Sequence, residues 1–342
     1  MPSPTRPALR PGSLRLSVLD QAPIREGGTA AQALRESILL AQATERLGYS
    51  RFWLAEHHAS GGLACAAPEV VIPAVAAQTS TIRVGSGGVM LSHYAPLKVA
   101  EQFRALEALF PGRIDLGIGR APGSSMQTKQ ALEHGPGTLP LEAFPDQVED
   151  LLGYLDDSLP EDHPFFGIHA SPVIDGTPEV WCLGSSLDGA QIAASLGLPY
   201  CFAQFISPEL GARAVALYRT RFKPSKWAAE PRVSVGVSTL CAPTDEEAER
   251  LARVRYVWRF RRGAVPSPET AEAFELTQPE REYVTYSMSK AAVGSPATVK
   301  ARLEAMAGEF GAEELVLLTI TYDFADRIRS YELVAREFGL VE

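Results

Sequence analysis

From residue 14 onward, short apolar runs alternate with longer stretches whose apolar positions recur three and four apart, the mark of strands interleaved with amphipathic helices. Residues 14–19 read as a strand. Gly27-Gly28 turns the chain, and Thr29 caps a helix to about 47 that Gly48 ends. A strand at 51–55 follows, then a helix opened by Pro68 at its favoured first-turn position. A strand at 82–91, a helix at 96–109 and a strand at 114–118 complete the first half. After a long Gly/Pro-rich loop, about 121–144, come a helix at 145–156, a strand at 180–183 and a helix from Ser186 to near Gly197. A strand at 200–202, a helix at 208–222, a strand at 233–241 and a helix after Thr244 continue the rhythm. Residues 259–292 break it and read as an insertion. Ser295-Pro296 caps another helix, 315–320 is the eighth strand, and a helix closes the chain near 338.

Eight strands alternating with helices imply parallel pairing through right-handed crossovers. A doubly wound sheet also satisfies this, but no strand runs into G-x-G-x-x-G with an acidic residue about 20 positions on. The count of eight favours a closed (β/α)8 TIM barrel over 14–342, with insertions near 121–144 and 259–292. Length alone, 342 residues, would suggest about two domains, but one barrel with insertions reaches this size. The first 13 residues carry four prolines and read as a disordered tail.

Thirty-two Lys and Arg against 41 Asp and Glu give a net charge of −9, no footprint for nucleic acid or anionic lipid. Cys65, Cys182, Cys201 and Cys241 lack metal or disulfide spacing and read as buried thiols. Neither a secretory leader nor an apolar span of about 18 residues is present, so a cytoplasmic location is expected.

A barrel gathers its chemistry where strands end. The second strand ends in Glu56-His57-His58. Adjacent residues of an extended chain point to opposite sides, so the two histidines cannot share a metal, and no metal site is expected. One of them can serve as a base or hydrogen-bond donor; the alternative is a histidine tied to a loop carbonyl. The third strand ends in Gly85-Ser86-Gly87-Gly88-Val89-Met90-Leu91, where glycine suits either a flat group lying on the backbone or a β-bulge. Arg120, in Gly117-Ile118-Gly119-Arg120, can fork onto a phosphate or pair with a carboxylate such as Asp115 or Glu101. Gly184-Ser185-Ser186 opens a helix and is either an anion site or an ordinary N-cap. His93 and Tyr94 face either substrate or a loop. The helix at 96–109 has an apolar face broad enough to suggest a homodimer contact, unless it is simply buried against the barrel.

At these residues the chain resembles the bacterial luciferase-like family of flavin-dependent oxidoreductases, nearest its single-chain luciferase family oxidoreductase branch. The resemblance runs from 14 to 340. It is carried by Ser17-Val18-Leu19-Asp20-Gln21, Ala55-Glu56-His57-His58, Gly85 to Leu91, Pro111 to Gly123 and Gly184-Ser185-Ser186, with Val293-Gly294-Ser295-Pro296 and Arg329-Ser330-Tyr331-Glu332-Leu333 near the end. It implies a (β/α)8 barrel with reduced FMN in its mouth: a monooxygenase that uses oxygen to oxidise a small organic substrate. A separate flavin reductase would supply the reduced cofactor, since the chain shows no second nucleotide-binding domain. By resemblance, His57 acts beside the flavin ring. Ser86, Gly87 and Gly88 lie at the ring, the glycine pair often being joined by a cis peptide. Arg120, Gly184, Ser185 and Ser186 hold the phosphate, and the protein is a homodimer. The chain has Gly119 where luciferase has a cysteine, and Gly184 where it has a glutamate, so light emission is not implied. Two alternatives share the fold: a deazaflavin-dependent hydride-transfer dehydrogenase and a non-catalytic flavin-binding protein.

Overall fold

A computed structural model describes residues 14–120, 125–134 and 140–341; the expected tail and parts of the 121–144 loop lie outside them. Nine strands form: β1 (Arg15–Asp20), β2 (Arg51–Leu54), β3 (Arg83–Met90), β4 (Ile114–Gly119), β5 (Glu179–Gly184), β6 (Tyr200–Ala203), β7 (Val233–Cys241), β8 (Ala292–Gly294) and β9 (Glu314–Leu318). All named pairings are parallel. β1 to β7 pair in sequence order, β9 joins β7 to β1, and so the barrel closes with eight strands. The three-residue β8 pairs only with the end of β7, outside the barrel; the strand expected at 315–320 is β9.

The helices are α1 (Ala30–Arg46), α2 (Pro68–Ala76), α3 (Pro96–Leu109), α4 (Met126–Leu132), α5 (Phe144–Leu155), α6 (Leu187–Leu196), α7 (Gly211–Arg221), α8 (Asp245–Arg261), α9 (Pro268–Ala273), α10 (Gln278–Ser289), α11 (Pro296–Phe310) and α12 (Phe324–Glu337). Local chemistry sets their starts. Thr29, Ser186 and Thr244 each accept a backbone N–H from the first turn of α1, α6 and α8. One expectation needs correction: the 121–144 loop contains α4, a short helix with no buried residue to mark it. The 259–292 insertion carries the helices α9 and α10. No described helix is long and apolar enough to cross a membrane.

Residues one step apart on a strand face opposite sides, and the barrel uses this to build layers. Leu16 and Val18 pack outward against the helices, whereas Leu19, Trp53, Trp181, Cys201 and Val316 fill the interior. Below them, at the strands' N-terminal ends, lies a plug of charge. Arg51 reaches Asp115 and Glu314 at 2.9 Å and Glu179 at 3.2 Å, while Arg83 and Arg232 add bonds of 2.7 Å to Asp115 and 2.8 Å to Glu179. Burial pushes the Glu179 carboxyl up, but Arg51, Arg83 and Arg232 outweigh it and hold it at about 2. Above the apolar layer, five cavity-lining positions are small: Ala55, Gly87, Gly119, Ala203 and Gly236. A barrel closed at the bottom and left unfilled at the top has a mouth.

The apolar face of the 96–109 helix is explained within the chain. α3 buries Val99, Ala100, Phe103 and Leu106 and packs against α5 and β4, so that breadth is no argument for a dimer.

Candidate active site

The mouth holds a cavity of about 380 Å³, within the range of small-molecule sites. Trp53, Leu19 and Val316 line it, as do Gly87 and Gly88 from β3. The Gly87-Gly88 peptide is cis, and the register to β4 slips between Gly87 and Val89, so the bulge and the flat backbone are one feature. Neither glycine has room for a side chain. A Cβ on Gly87 would lie 2.7 Å from Leu19 Cδ1, and one on Gly88 2.7 Å from the Gly117 carbonyl. Gly119 differs: a Cβ there would meet only the Leu183 carbonyl at 3.9 Å.

The second strand, expected to end in Glu56-His57-His58, stops as β2 at Leu54, and both histidines lie in the irregular chain beyond it, where they part all the same. His57 lines the cavity; its backbone N–H donates to Cys65, but its buried Nδ1 has no partner among the described residues. Burial, with help from neighbouring His58, lowers its pKa to about 4, so the ring is neutral near pH 7. His58 instead bonds Glu56 at 2.6 Å.

The buried Glu56 was part of the quoted motif but received no role from sequence. Its Oε1 also accepts from the Tyr94 hydroxyl at 2.7 Å, and its Oε2 from the Met90 N–H at 3.0 Å, so it ties the end of β2 to the end of β3. Tyr94 is thereby spoken for, and burial followed by the Glu56 charge pushes its pKa up. His93 is packed edge-on between His58 and Tyr94, with Nδ1 3.8 Å from Glu133. Neither His93 nor Tyr94 lines the cavity; of the two readings open for them, substrate or a loop, Tyr94 is bonded to Glu56 in the loop beyond β2. Ser86 does not line the cavity either. Its side chain is buried and donates to the Gly117 carbonyl at 2.8 Å, joining β3 to β4 rather than facing the cavity.

At one end the cavity meets Arg120, Gly184, Ser185 and Ser186. Ser186 caps α6 by accepting from the Gly189 N–H at 3.2 Å. Arg120 pairs with neither Asp115 nor Glu101: Asp115 is held by Arg51 and Arg83, Glu101 faces Lys98, and Arg120 reaches Asp188 in the first turn of α6 at 3.2 Å. A guanidinium, a serine and a helix N-terminus are groups that can receive an anion, although here Arg120 is paired with Asp188. Among the described residues, no group of three or more His, Cys, Asp or Glu side chains is placed to hold a metal ion.

Comparison with known proteins gives a consistent picture. The luciferase-like monooxygenase family profile matches residues 14–314. A luciferase-like monooxygenase of Escherichia coli (strain K12) is 39% identical over 327 residues, 94% of this chain and 96% of that one. An N-acetyl-S-alkylcysteine monooxygenase of Bacillus subtilis (strain 168) is 36% identical over 329 residues, 94% of this chain and 97% of its own. Among solved structures, apo-MsnO8 superposes with a TM-score of 0.84 at 41% identity, covering 96% of this chain and 99% of the other.

Proposed function

The chain belongs to the luciferase-like monooxygenase family and is an oxidoreductase, and from that premise we propose that it binds reduced FMN in the barrel mouth and uses oxygen to oxygenate a small organic substrate. The observation that carries this reading is one cavity with a glycine wall, a neutral histidine beside it, and an arginine–serine anion site at one end. The residues fit the cofactor: an unfilled mouth for the ring, a buried His57 Nδ1 with no partner among the described residues, and cationic and hydroxyl donors for a phosphate. When bound and reduced, the flavin supplies the electrons with which oxygen is activated.

In this reading the chain binds, orients and moves protons. Arg120 and Ser185, with the backbone of Gly184 and Ser186, hold the phosphate. Gly87 and Gly88 offer a wall without side chains to the ring. His57 enters neutral and can accept a proton at Nδ1, a role worth roughly 10²–10⁴-fold in rate when well placed. Glu56 positions this constellation by fixing the β3 end against β2. A separate reductase supplies reduced FMN. A cytoplasmic homodimer belongs to the same proposal; exposed Leu39, Val70 and Leu109 on the successive helices α1, α2 and α3 offer apolar surface for a second copy.

The non-catalytic flavin carrier is set aside by the family assignment. A deazaflavin dehydrogenase would use the same phosphate end, and the test separates it. Oxygen uptake is followed with chemically reduced FMN, and reduction of oxidised deazaflavin is followed anaerobically by absorbance, across one panel of small organic substrates. FMN-dependent uptake with an oxygenated product is expected; turnover with deazaflavin alone would overturn the proposal.

A further inference from the structure

Beside the flavin cavity lies a second one of about 630 Å³, between the α8–α10 segment and the ends of β6 and β7. Gln21, Phe205 and Ile206 line both, so the two spaces adjoin. Four cations border the second: Arg255 and Arg259, one turn apart on α8, with Arg262 and Lys290. Among the described residues, Glu209 is the only carboxylate on its wall, and none of the four cations has a carboxylate within ion-pair distance. In a chain of net charge −9, this excess is local.

Arg255 is the informative member. It is half-buried, its Nη1 donates to the Ser238 hydroxyl, and its guanidinium sits 6.0 Å from the Phe205 ring. Elsewhere the fully buried Arg51 has Asp115 and Glu314, and Arg327 has Asp20 at 2.7 Å, and both pKa values rise despite burial. Half-buried Arg113, whose pKa burial lowers, instead directs its donors to the carbonyls of Ala76, Thr79 and Ile82 and to the Thr79 hydroxyl. At Arg255 burial lowers the pKa, opposed mainly by Tyr256 and Tyr283. A half-buried guanidinium pays for desolvation and has five donors to satisfy, and an entering anion would supply both the charge and the acceptors. Two of the other three cations lie against aromatic rings, Arg259 at 5.0 Å from Tyr283 and Lys290 at 5.6 Å from Tyr286. A wall of aromatic rings around a guanidinium suits a carboxylate carried on an apolar body.

We propose that this second cavity is the substrate subsite for a small organic acid, with Arg255 gripping its carboxylate and the tyrosine wall receiving its apolar part. That the acid is what becomes oxygenated rests on the flavin reading; the anion site does not.

The test uses 3-phenylpropionate and its uncharged isostere 3-phenylpropionamide as probes, titrated calorimetrically into the full chain with and without FMN. Charge-assisted bonds to the guanidinium predict that the acid binds roughly 10–100-fold tighter than the amide. Arg255→Met should erase that ratio, and Arg255→Lys, which keeps the charge but not the fork, should retain part of it. FMN affinity should be unchanged in both. Equal binding of acid and amide, no binding of either at millimolar concentration, or a ratio that survives Arg255→Met overturns the proposal. So does a parallel loss of FMN, which would assign the cavity to the cofactor's phosphate. Should Arg255→Met not fold, an unchanged ratio in Arg255→Lys overturns it equally. A selective acid site in a chain that binds no FMN would instead refute the flavin reading alone.

Discussion

Arg120 offers the sharpest test of where the cofactor's phosphate lies. In the structure it holds Asp188 at 3.2 Å, with the two side chains 32% and 73% exposed. Exposed pairs contribute about 0–1 kcal/mol, so Arg120→Ala should barely change the melting temperature. The effect on ligand is larger. Losing charge-assisted bonds worth about 1.5–3 kcal/mol weakens FMN roughly 10–100-fold, whereas riboflavin, which has no phosphate, should lose little. Asp188 supplies a control of opposite sign. Its carboxylate stands at the same helix start and repels an incoming phosphate, and exposed charges about 4 Å apart interact by about 1 kcal/mol in water. Asp188→Asn should therefore tighten FMN several-fold and leave riboflavin unchanged. Anaerobic fluorescence titration with both ligands, in both redox states, reads all four numbers. Equal losses for FMN and riboflavin in Arg120→Ala, no loss for either, or weaker FMN binding in Asp188→Asn would refute the phosphate assignment.

His57→Ala should retain FMN but lose roughly 10²–10⁴-fold in turnover; unchanged turnover at equal flavin content would make the residue structural. Because the folded pKa of His57 is depressed from 6.5 to about 4, its stabilising effect is complete above pH 6.5 and is lost as pH falls toward 4, by at most about 3 kcal/mol. Urea titrations across that window should show the slope in the parent and its loss in the alanine variant. Gly88→Ala, whose Cβ meets the Gly117 carbonyl at 2.7 Å, should cost about 1–3 kcal/mol and impair FMN binding, while Gly119→Ala, with its nearest contact at 3.9 Å, should fold like the parent; equal melting temperatures for the two would contradict the packing argument. Arg51→Met should cost about 3–5 kcal/mol in chemical denaturation, because Asp115 and Glu314 lose their buried counter-ion; a change below 1 kcal/mol would show that Arg83 and Arg232 suffice.

The barrel was legible in the chain because most barrel strands are short segments rich in apolar residues between helix-length stretches, and several helices carry their own start signals, as at Thr29, Ser186 and Thr244. What escaped had weak local signals. α4 buries nothing and sits among glycines and prolines, and β8 is three residues long. Resemblance placed His57, Gly87, Gly88, Arg120 and Ser185 around one mouth, and the structure brings these five to a single cavity. Strand parity turns the Ser86 side chain away from that cavity, and of the two residues read from position alone as facing either substrate or a loop, His93 and Tyr94, the second is engaged directly by Glu56. Parity was a usable signal: counting two residues on from Arg51 and Trp53 arrives at Ala55, and from Asp115 and Gly117 at Gly119, a charged-to-small gradient running up the barrel. The second cavity had no such signal. Its deepest cation lies on α8 before the insertion, and its walls come from β6, β7 and α10, joined only by the fold.

That gradient also links the two ends of the barrel. Trp53 donates its indole N–H to Asp115 in the charge plug at 2.9 Å, yet its ring lines the mouth cavity. Trp181 packs edge-on against it at 5.7 Å and lies under the guanidinium groups of Arg51 and Arg232 at 4.9 and 5.0 Å. The floor of the cavity is thus fixed from below by bonds with defined directions rather than by apolar contact alone. This matters because the mouth is lined by glycines and alanines, which pack few atoms and constrain little by themselves. A wall of that kind keeps its shape only if something rigid holds the strands at its base. The bottom of the barrel supplies that rigidity through a buried network whose partners would be costly to separate. The open, sparsely packed mouth and the closed, charged base are therefore parts of one arrangement. The strands that leave room for a cofactor at one end are the same ones held in register at the other.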